Sequence, residues 1–145
     1  MIRFCDDKLT VNEYLNLRAS VGWRSLTLRQ AEKALRGSLY IMGVYDDDKL
    51  IGMGRIVGDG AVICYIQDLI VLPEYHGQGI GSKLIKELRR YVVSLIGEDE
   101  MMMFDLMCAK GREAFYEKNG FTARPTDTLG PGMIQYLTED DSVIE

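Results

Sequence analysis

A single histidine, His76, and three scattered cysteines, Cys5, Cys64 and Cys108, leave this 145-residue sequence short of the residues that hold metals and form cross-links. One histidine is too few for the common His/Cys zinc arrangements, so no metal site is expected. No Cys-x-x-Cys pair is present. A set of cysteines that is odd and far apart argues against a disulfide framework and for a reducing compartment. No apolar run approaches the roughly 20 residues that a membrane helix needs. The opening segment, Met1-Ile2-Arg3-Phe4-Cys5-Asp6-Asp7, lacks the apolar stretch of a signal peptide. Positive charge is in deficit, with 17 Lys and Arg against 22 Asp and Glu and a net charge of -5. That sign is unfavourable for nucleic acid. Low-complexity linkers and internal repeats are also absent. Together these absences predict a cytoplasmic protein with no metal, no nucleic-acid partner and no membrane partner.

Apolar residues, by contrast, make up 47% of the chain, enough for a real core. The length fits one domain spanning 1–145. Residues 9–20 predict a first helix, with Thr10 as N-cap and Leu9, Tyr14 and Leu17 on an apolar stripe that Gly22 ends. A second helix is expected from Thr27 through Leu28, Ala31, Ala34 and Leu35 to Gly37. The period then changes to two. Residues 39–45, 50–57 and 61–71 predict three strands, joined by the turns Asp46-Asp47-Asp48-Lys49 and Gly58-Asp59-Gly60 as an antiparallel meander.

Residues 79–95 carry a helical stripe at Ile80, Leu84, Leu88, Tyr91 and Leu95. Residues 101–107 predict a strand, and 111–119 a short helix closed by Asn119-Gly120. A last strand is expected over 133–138. Strand, helix and strand between 61 and 107 imply a parallel crossover. The fold class expected is therefore α/β (α+β), a mixed and mostly antiparallel sheet with helices on both faces.

Between the third strand and the long helix lies His76-Gly77-Gln78-Gly79-Ile80-Gly81-Ser82. Glycines let backbone N–H groups approach a phosphate, and a helix N-terminus adds its positive end. A tight turn with no ligand is the other reading of such a loop. A Walker loop fails, because Ser82 stands where its second glycine belongs. A Rossmann fingerprint also fails, because its third small position is Ser82, the acids Glu98, Asp99 and Glu100 fall before the next strand and not at its end, and the preceding strand comes third in a meander.

The run from Gln67-Asp68-Leu69-Ile70-Val71 through Pro73-Glu74-Tyr75 to that loop and Lys83-Leu84 resembles the acetyl-CoA motif of the GNAT superfamily of N-acetyltransferases. Ala114-Phe115-Tyr116-Glu117-Lys118-Asn119-Gly120-Phe121 is similar to the second motif of that family. The two stand in the family's order, and the resemblance covers roughly residues 38–122. It implies transfer of an acetyl group from acetyl-CoA, as co-substrate, to a primary amine by direct attack. It also implies that His76, Gly77, Gln78, Gly79, Ile80, Gly81 and Ser82 cradle the pyrophosphate, His76 through its backbone N–H. Leu69, Ile70 and Val71 would pair with the pantetheine arm and supply a backbone oxyanion donor.

Tyr116 would stand near the sulfur, both binding the co-substrate and protonating the leaving thiolate; packing on the core is its other reading. Two departures stand out. His76 replaces the usual arginine or glutamine, and Ala109 replaces an asparagine common near the end of the preceding strand. The family tendency is a homodimer.

Asp68 alternates with Cys64, Ile66 and Ile70, an apolar face, while Gln67 lies opposite with Tyr65. A strand bulge would exchange the two. A carboxylate on an apolar face is either paired, with Arg55 on the neighbouring strand, or a candidate general base. Lys83, Lys86 and Arg90 share a helix face that reads as solvated. Trp23 lies between two helices that often shape the acceptor pocket in relatives; core packing is its other reading. Residues 124–133 form a long loop, of a kind often functional. The acceptor reads as a small-molecule amine, with a protein N-terminus or lysine as one alternative and a non-catalytic acyl-CoA-binding module as another.

Overall fold

The computed structural model describes residues 1–6 and 9–141. Two compact units divide the chain, Met1–Leu106 and Met107–Glu145. In the first, β1 (Ile2–Asp6), β2 (Tyr40–Asp46), β3 (Lys49–Gly58), β4 (Ile63–Val71) and β5 (Met103–Leu106) lie in that order across one sheet. Neighbours are antiparallel as far as β4, and β5 runs parallel to β4. Helices α1 (Val11–Ser20) and α2 (Leu28–Arg36) lie in the chain between β1 and β2, and α3 (Ile80–Ser94) makes the crossover from β4 to β5. The mixed, mostly antiparallel sheet expected from the periodicity is present.

Local chemistry sets the helix starts. The side chains of Thr10 and Thr27 each accept a bond from the amide three residues on, at 3.1 Å, and the side-chain oxygens of Glu13 and Gln30 accept in turn from the threonine amides at 3.0 Å. These are capping boxes, which satisfy two otherwise orphaned donors at each start. At the hairpin between β2 and β3, Asp47 takes a left-handed φ of 52°. Between β3 and β4, Asp59 Oδ1 accepts from the amides of Ala61, Val62 and Ile63 at 2.8–3.0 Å. That side chain organises the turn more firmly than the glycines beside it.

Helices cover both faces of the sheet. On one, a Cβ on Gly54 would meet Leu88 of α3 at 2.8 Å, so glycine there lets α3 pack close. On the other, Arg55 turns toward α1 and α2. The ladder between β3 and β4 shifts between Arg55 and Ile56, which pair with Asp68 and Ile66 and leave Gln67 without a partner. Gln67 is therefore a β-bulge. It breaks the alternation expected for this strand. Ile66, opposite Ile56, faces α3, whereas Asp68, opposite Arg55, faces α1.

That exchange brings together three buried polar groups, Tyr14, Arg55 and Asp68, and the half-buried Arg18. Asp68, 1% exposed, accepts at Oδ2 from Tyr14 Oη at 2.7 Å and Arg55 Nε at 2.6 Å. Its Oδ1 accepts from Arg18 Nη1 at 3.3 Å. Arg55 Nη1 reaches Ser38 Oγ at 3.2 Å and the Ala34 carbonyl at 3.3 Å. Burial, and then the Asp68 carboxylate, push the Tyr14 phenol above its ordinary value, so it remains a donor. Tyr14, expected only as a core residue, is both buried and bonded.

Strand β1 was not expected from the sequence, because its two apolar alternations, at Ile2 and Phe4, are too short to stand out. In the second unit, α4 (Glu113–Lys118) is the short helix expected before Gly120. The strand expected over 133–138 does not form. Met133, Tyr136 and Leu137 are exposed, and among the described residues of this unit no strand offers them a ladder. Apolar content without a pairing edge does not make a strand.

Asp68→Asn leaves two buried guanidinium groups without their counter-charge. Losing one partner of a buried pair costs about 3–5 kcal/mol, so the melting temperature should fall by roughly 10 °C. Any surviving activity should keep the wild-type pH profile. A normal melting temperature, with turnover lost and regained at high pH, would instead make Asp68 the base.

Candidate active site

The edge of β4 is the first part of the site. β5 pairs with β4 only from Ile63 to Ile66, so beyond the bulge β4 continues without a described strand on that side. Ladder parity shows which groups face the opening. The Leu72 amide donates to the Ile51 carbonyl at 2.9 Å, so Leu72 and Ile70 turn their backbone groups toward β3. Leu69 and Val71 turn theirs away, into the gap left by β5. Leu69, Ile70 and Val71 were expected to act together; the ladder separates Ile70 from the other two.

The second part is the loop after β4. Pro73–Tyr75 makes one 3-10 turn, and α3 begins at Ile80. Gly77 and Gly79 have left-handed φ values of 81° and 76°, and a Cβ on either would meet nothing within 4 Å. Both positions require glycine for their conformation and open on empty space. Among the described residues no side chain caps the start of α3. Its first-turn amides have no intrahelical acceptor, and the helix dipole adds positive character. This arrangement of Gln78, Gly79, Ile80, Gly81 and Ser82 fits a pyrophosphate.

His76 departs from its expected role. Its backbone amide already donates to the Pro73 carbonyl at 3.1 Å, so that donor is not turned to a phosphate. Its ring Nε2 lies 2.8 Å from the Val71 carbonyl oxygen. A carbonyl only accepts, so Nε2 carries the proton. His76 ties the loop to the open edge of β4 and leaves the Leu69 amide and carbonyl and the Val71 amide facing outward.

A pocket of about 340 Å³ opens on the α1 and α2 face of the sheet, with Gln67 of the bulge in its wall. Its cationic lining is Arg18, Arg24, Arg29, Lys33 and Arg55. Arg18 is held by Asp68 and by the Arg24 carbonyl at 2.9 Å. The Arg18 guanidinium carbon also lies 5.7 Å from the Tyr14 ring centre and 5.3 Å from that of Trp23. Trp23 thus stacks on a wall of the pocket and is part-exposed, not core. Sequence reasoning missed these cations. The available signal was Arg29 and Lys33, four apart on a helix and therefore on one face.

Asp105 of β5 was also passed over. Its Oδ1 is buried with no hydrogen-bond partner among the described residues, and burial pushes its carboxyl above the usual range. Lys83, Lys86 and Arg90 are all exposed, as expected for a solvated helix face. Lys83 lies 4.4 Å from the ring centre of Phe4, and Arg90 pairs with Glu87 at 2.9 Å.

In the second unit, Tyr116 sits on α4 with its ring edge-on to Phe121, centres 5.9 Å apart. The Phe121 amide donates to the Tyr116 carbonyl at 3.1 Å, and Gly120 has a φ of 95°. The glycine lets the chain reverse and bring Phe121 back to the tyrosine. Burial, and then the neighbouring Cys108, push the Tyr116 phenol above its ordinary value. It therefore holds its proton. The long loop expected after this helix is present, with Arg124 Nε bonded to the Gly130 carbonyl at 2.6 Å and a cis Arg124–Pro125 peptide.

The chain is similar to several known proteins. The family model described as an acetyltransferase (GNAT) domain matches residues 37–123. An uncharacterised ycf52-like N-acetyltransferase of Prochlorococcus marinus is 34% identical over 121 residues, 81% of this chain. The chain spans 65% of that protein's length. Among solved structures, a probable acetyltransferase of unknown function from meticillin-resistant Staphylococcus aureus is 34% identical. It superimposes with a TM-score of 0.81 over 94% of this chain and 100% of its own. A GNAT family acetyltransferase from Streptococcus pneumoniae is 33% identical, with a TM-score of 0.77 over 96% of this chain and 100% of its own. With its open β4 edge, its uncapped glycine turn and these matches, the chain belongs to the GNAT acetyltransferase domain family.

Proposed function

We propose that this protein transfers the acetyl group of acetyl-CoA to the primary amine of a small molecule. One observation carries the reading: the backbone groups of Leu69 and Val71 that face the gap beside β4 lead directly into two left-handed glycines and an uncapped helix start. An extended amide-bearing arm followed by a pyrophosphate matches that order of donors and acceptors.

Acetyl-CoA supplies the thioester. The chain supplies position, polarity and a proton. Leu69 and Val71 offer their outward amides to the arm and to the carbonyl oxygen, where a fixed N–H stabilises the charge that develops on oxygen. Gln78, Gly79, Ile80, Gly81 and Ser82 hold the phosphates. The amine nitrogen forms its bond to the acetyl carbon, the carbon–sulfur bond breaks, and Tyr116 gives its proton to the departing sulfur; the proton that the new amide nitrogen sheds passes to water, and water reprotonates Tyr116.

An alkylammonium loses its proton only near pH 10 in water, about the value of a lysine. A pocket lined by cations disfavours the charged form, so the amine is neutral when it attacks. Asp68, bonded to Arg55, Arg18 and Tyr14, acts in this scheme as a positioning residue. The pocket volume of about 340 Å³ falls at the small-molecule end of binding sites, which favours a small acceptor over a protein segment.

Gly79→Asp would place a side chain and a negative charge in the open space over the loop, at a left-handed φ. Affinity for acetyl-CoA should fall at least about tenfold, or 1.4 kcal/mol. Calorimetric titration checks this, and an unchanged affinity would refute the phosphate cradle. Tyr116→Phe removes only a hydroxyl, so the fold should hold and acetyl-CoA affinity should change little. General acid catalysis is worth about 10²–10⁴ in rate. A thiolate with a pKa of about 8.5 needs the lower end of that help, so kcat should drop roughly a hundredfold. Rates within twofold of wild type, where chemistry limits turnover, would remove Tyr116 as the acid.

A further inference from the structure

The pocket beside Gln67 carries a charge that the protein as a whole does not. The chain is acidic, with a net charge of -5 and 17 lysines and arginines. Five of those cations, Arg18, Arg24, Arg29, Lys33 and Arg55, line this one pocket, and none of its described lining residues is acidic. Asp68 beneath offsets one of the five. The remaining positive charge converges on a space large enough for a small molecule. Chance distribution over a surface richer in acids than bases would interleave the two signs.

The cations are also placed for recognition. Arg18 is fixed by Asp68, by the Arg24 carbonyl and by the rings of Tyr14 and Trp23. Its Nε is buried and has no hydrogen-bond partner among the described residues. A guanidinium held in this way is pre-organised to receive a carboxylate or phosphate. Arg29 and Lys33, on successive turns of α2, are exposed and add long, adaptable cations at the rim.

We infer that the acceptor is a small-molecule amine that also bears an anionic group, a carboxylate or a phosphomonoester, which these cations hold. The inference rests on the acetyltransferase reading for the identity of the reacting amine. The anion offsets the pocket charge at one end of the acceptor while its amine lies toward Gln67 and the open edge of β4. A polycationic amine would meet like charge from every side of the pocket.

Direct binding tests this without requiring turnover. The full chain is titrated calorimetrically with matched pairs that differ only in the anion. One pair is an amino sugar with and without a phosphomonoester; the other is an α-amino acid and its amide. Spermidine serves as the polycation. A separate titration with acetyl-CoA reports on the co-substrate site, so failure of the acetyltransferase reading is seen independently.

At least one anionic member should bind about tenfold or more tightly than its neutral counterpart, with spermidine weaker still. The pair that discriminates identifies the anion as phosphate or carboxylate. Arg29→Glu with Lys33→Glu should abolish that preference and leave acetyl-CoA affinity unchanged, with a normal melting temperature confirming the fold. Three results would overturn the inference: equal binding within both pairs, tighter binding of spermidine, or a preference that survives the double variant.

Discussion

The Asp68 carboxylate is the interaction on which the α1 and α2 face of the sheet depends. It lies fully inside the first unit and accepts from Arg55, Arg18 and Tyr14. Two of those donors come from α1 and one from β3, so one anion joins the helix to the sheet. A buried ion pair adds little net stability compared with apolar packing, because desolvation offsets the attraction. Its value here is geometric. Two guanidinium groups against one carboxylate leave an excess of positive charge, and that excess forms the floor of the pocket. The rim cations of α2 extend it outward.

Asp68 reaches that position because β4 contains one residue more than its partner requires. The bulge at Gln67 turns the strand by one residue, so Ile66 packs under α3 while Asp68 faces α1. The ladder to β5 ends at Ile66, immediately before the same bulge. One irregularity thus places three things together: the end of parallel pairing, the outward backbone groups of Leu69 and Val71, and a pocket wall at Gln67. Bulges commonly occur beside functional sites because they re-aim a side chain and interrupt pairing. Beyond Val71 the chain has only eight residues before α3, and His76 uses its ring to anchor them to the strand they leave. The loop and the edge are therefore one assembly.

Much of this was legible in the sequence. The three meander strands, the two capped helices and the amphipathic crossover helix follow from period and from threonine caps three residues before Glu13 and Gln30. The glycine spacing marked the loop. Asp68 stood out as a carboxylate among apolar neighbours, and Arg55 was a legible partner because it sits on the adjacent strand. What was not legible depends on tertiary context. Alternation cannot reveal a bulge, so the faces of Ile66 and Asp68 were read as one. The convergence of Arg18, Arg24 and Arg29 needs the packing of α1 against α2, which charge spacing along the chain does not contain. The 133–138 segment has the composition of a strand, but pairing is decided by a neighbour, not by composition. His76 illustrates the same point: its place in the motif suggested a phosphate contact, and the 3-10 turn before it takes up its amide instead.

The central claim is that acetyl-CoA lies along the open edge of β4 and across the start of α3. Residue-resolved amide hydrogen exchange, measured by NMR with and without acetyl-CoA, tests it most directly. The amides of Leu69 and Val71 face the gap, so they should exchange rapidly in the free protein and slow on binding. The amides of residues 78–82 should slow with them. Ile70, already bonded toward β3, should change little. Protection that spares Leu69, Val71 and the glycine loop, or that appears equally at Ile70, would contradict this placement.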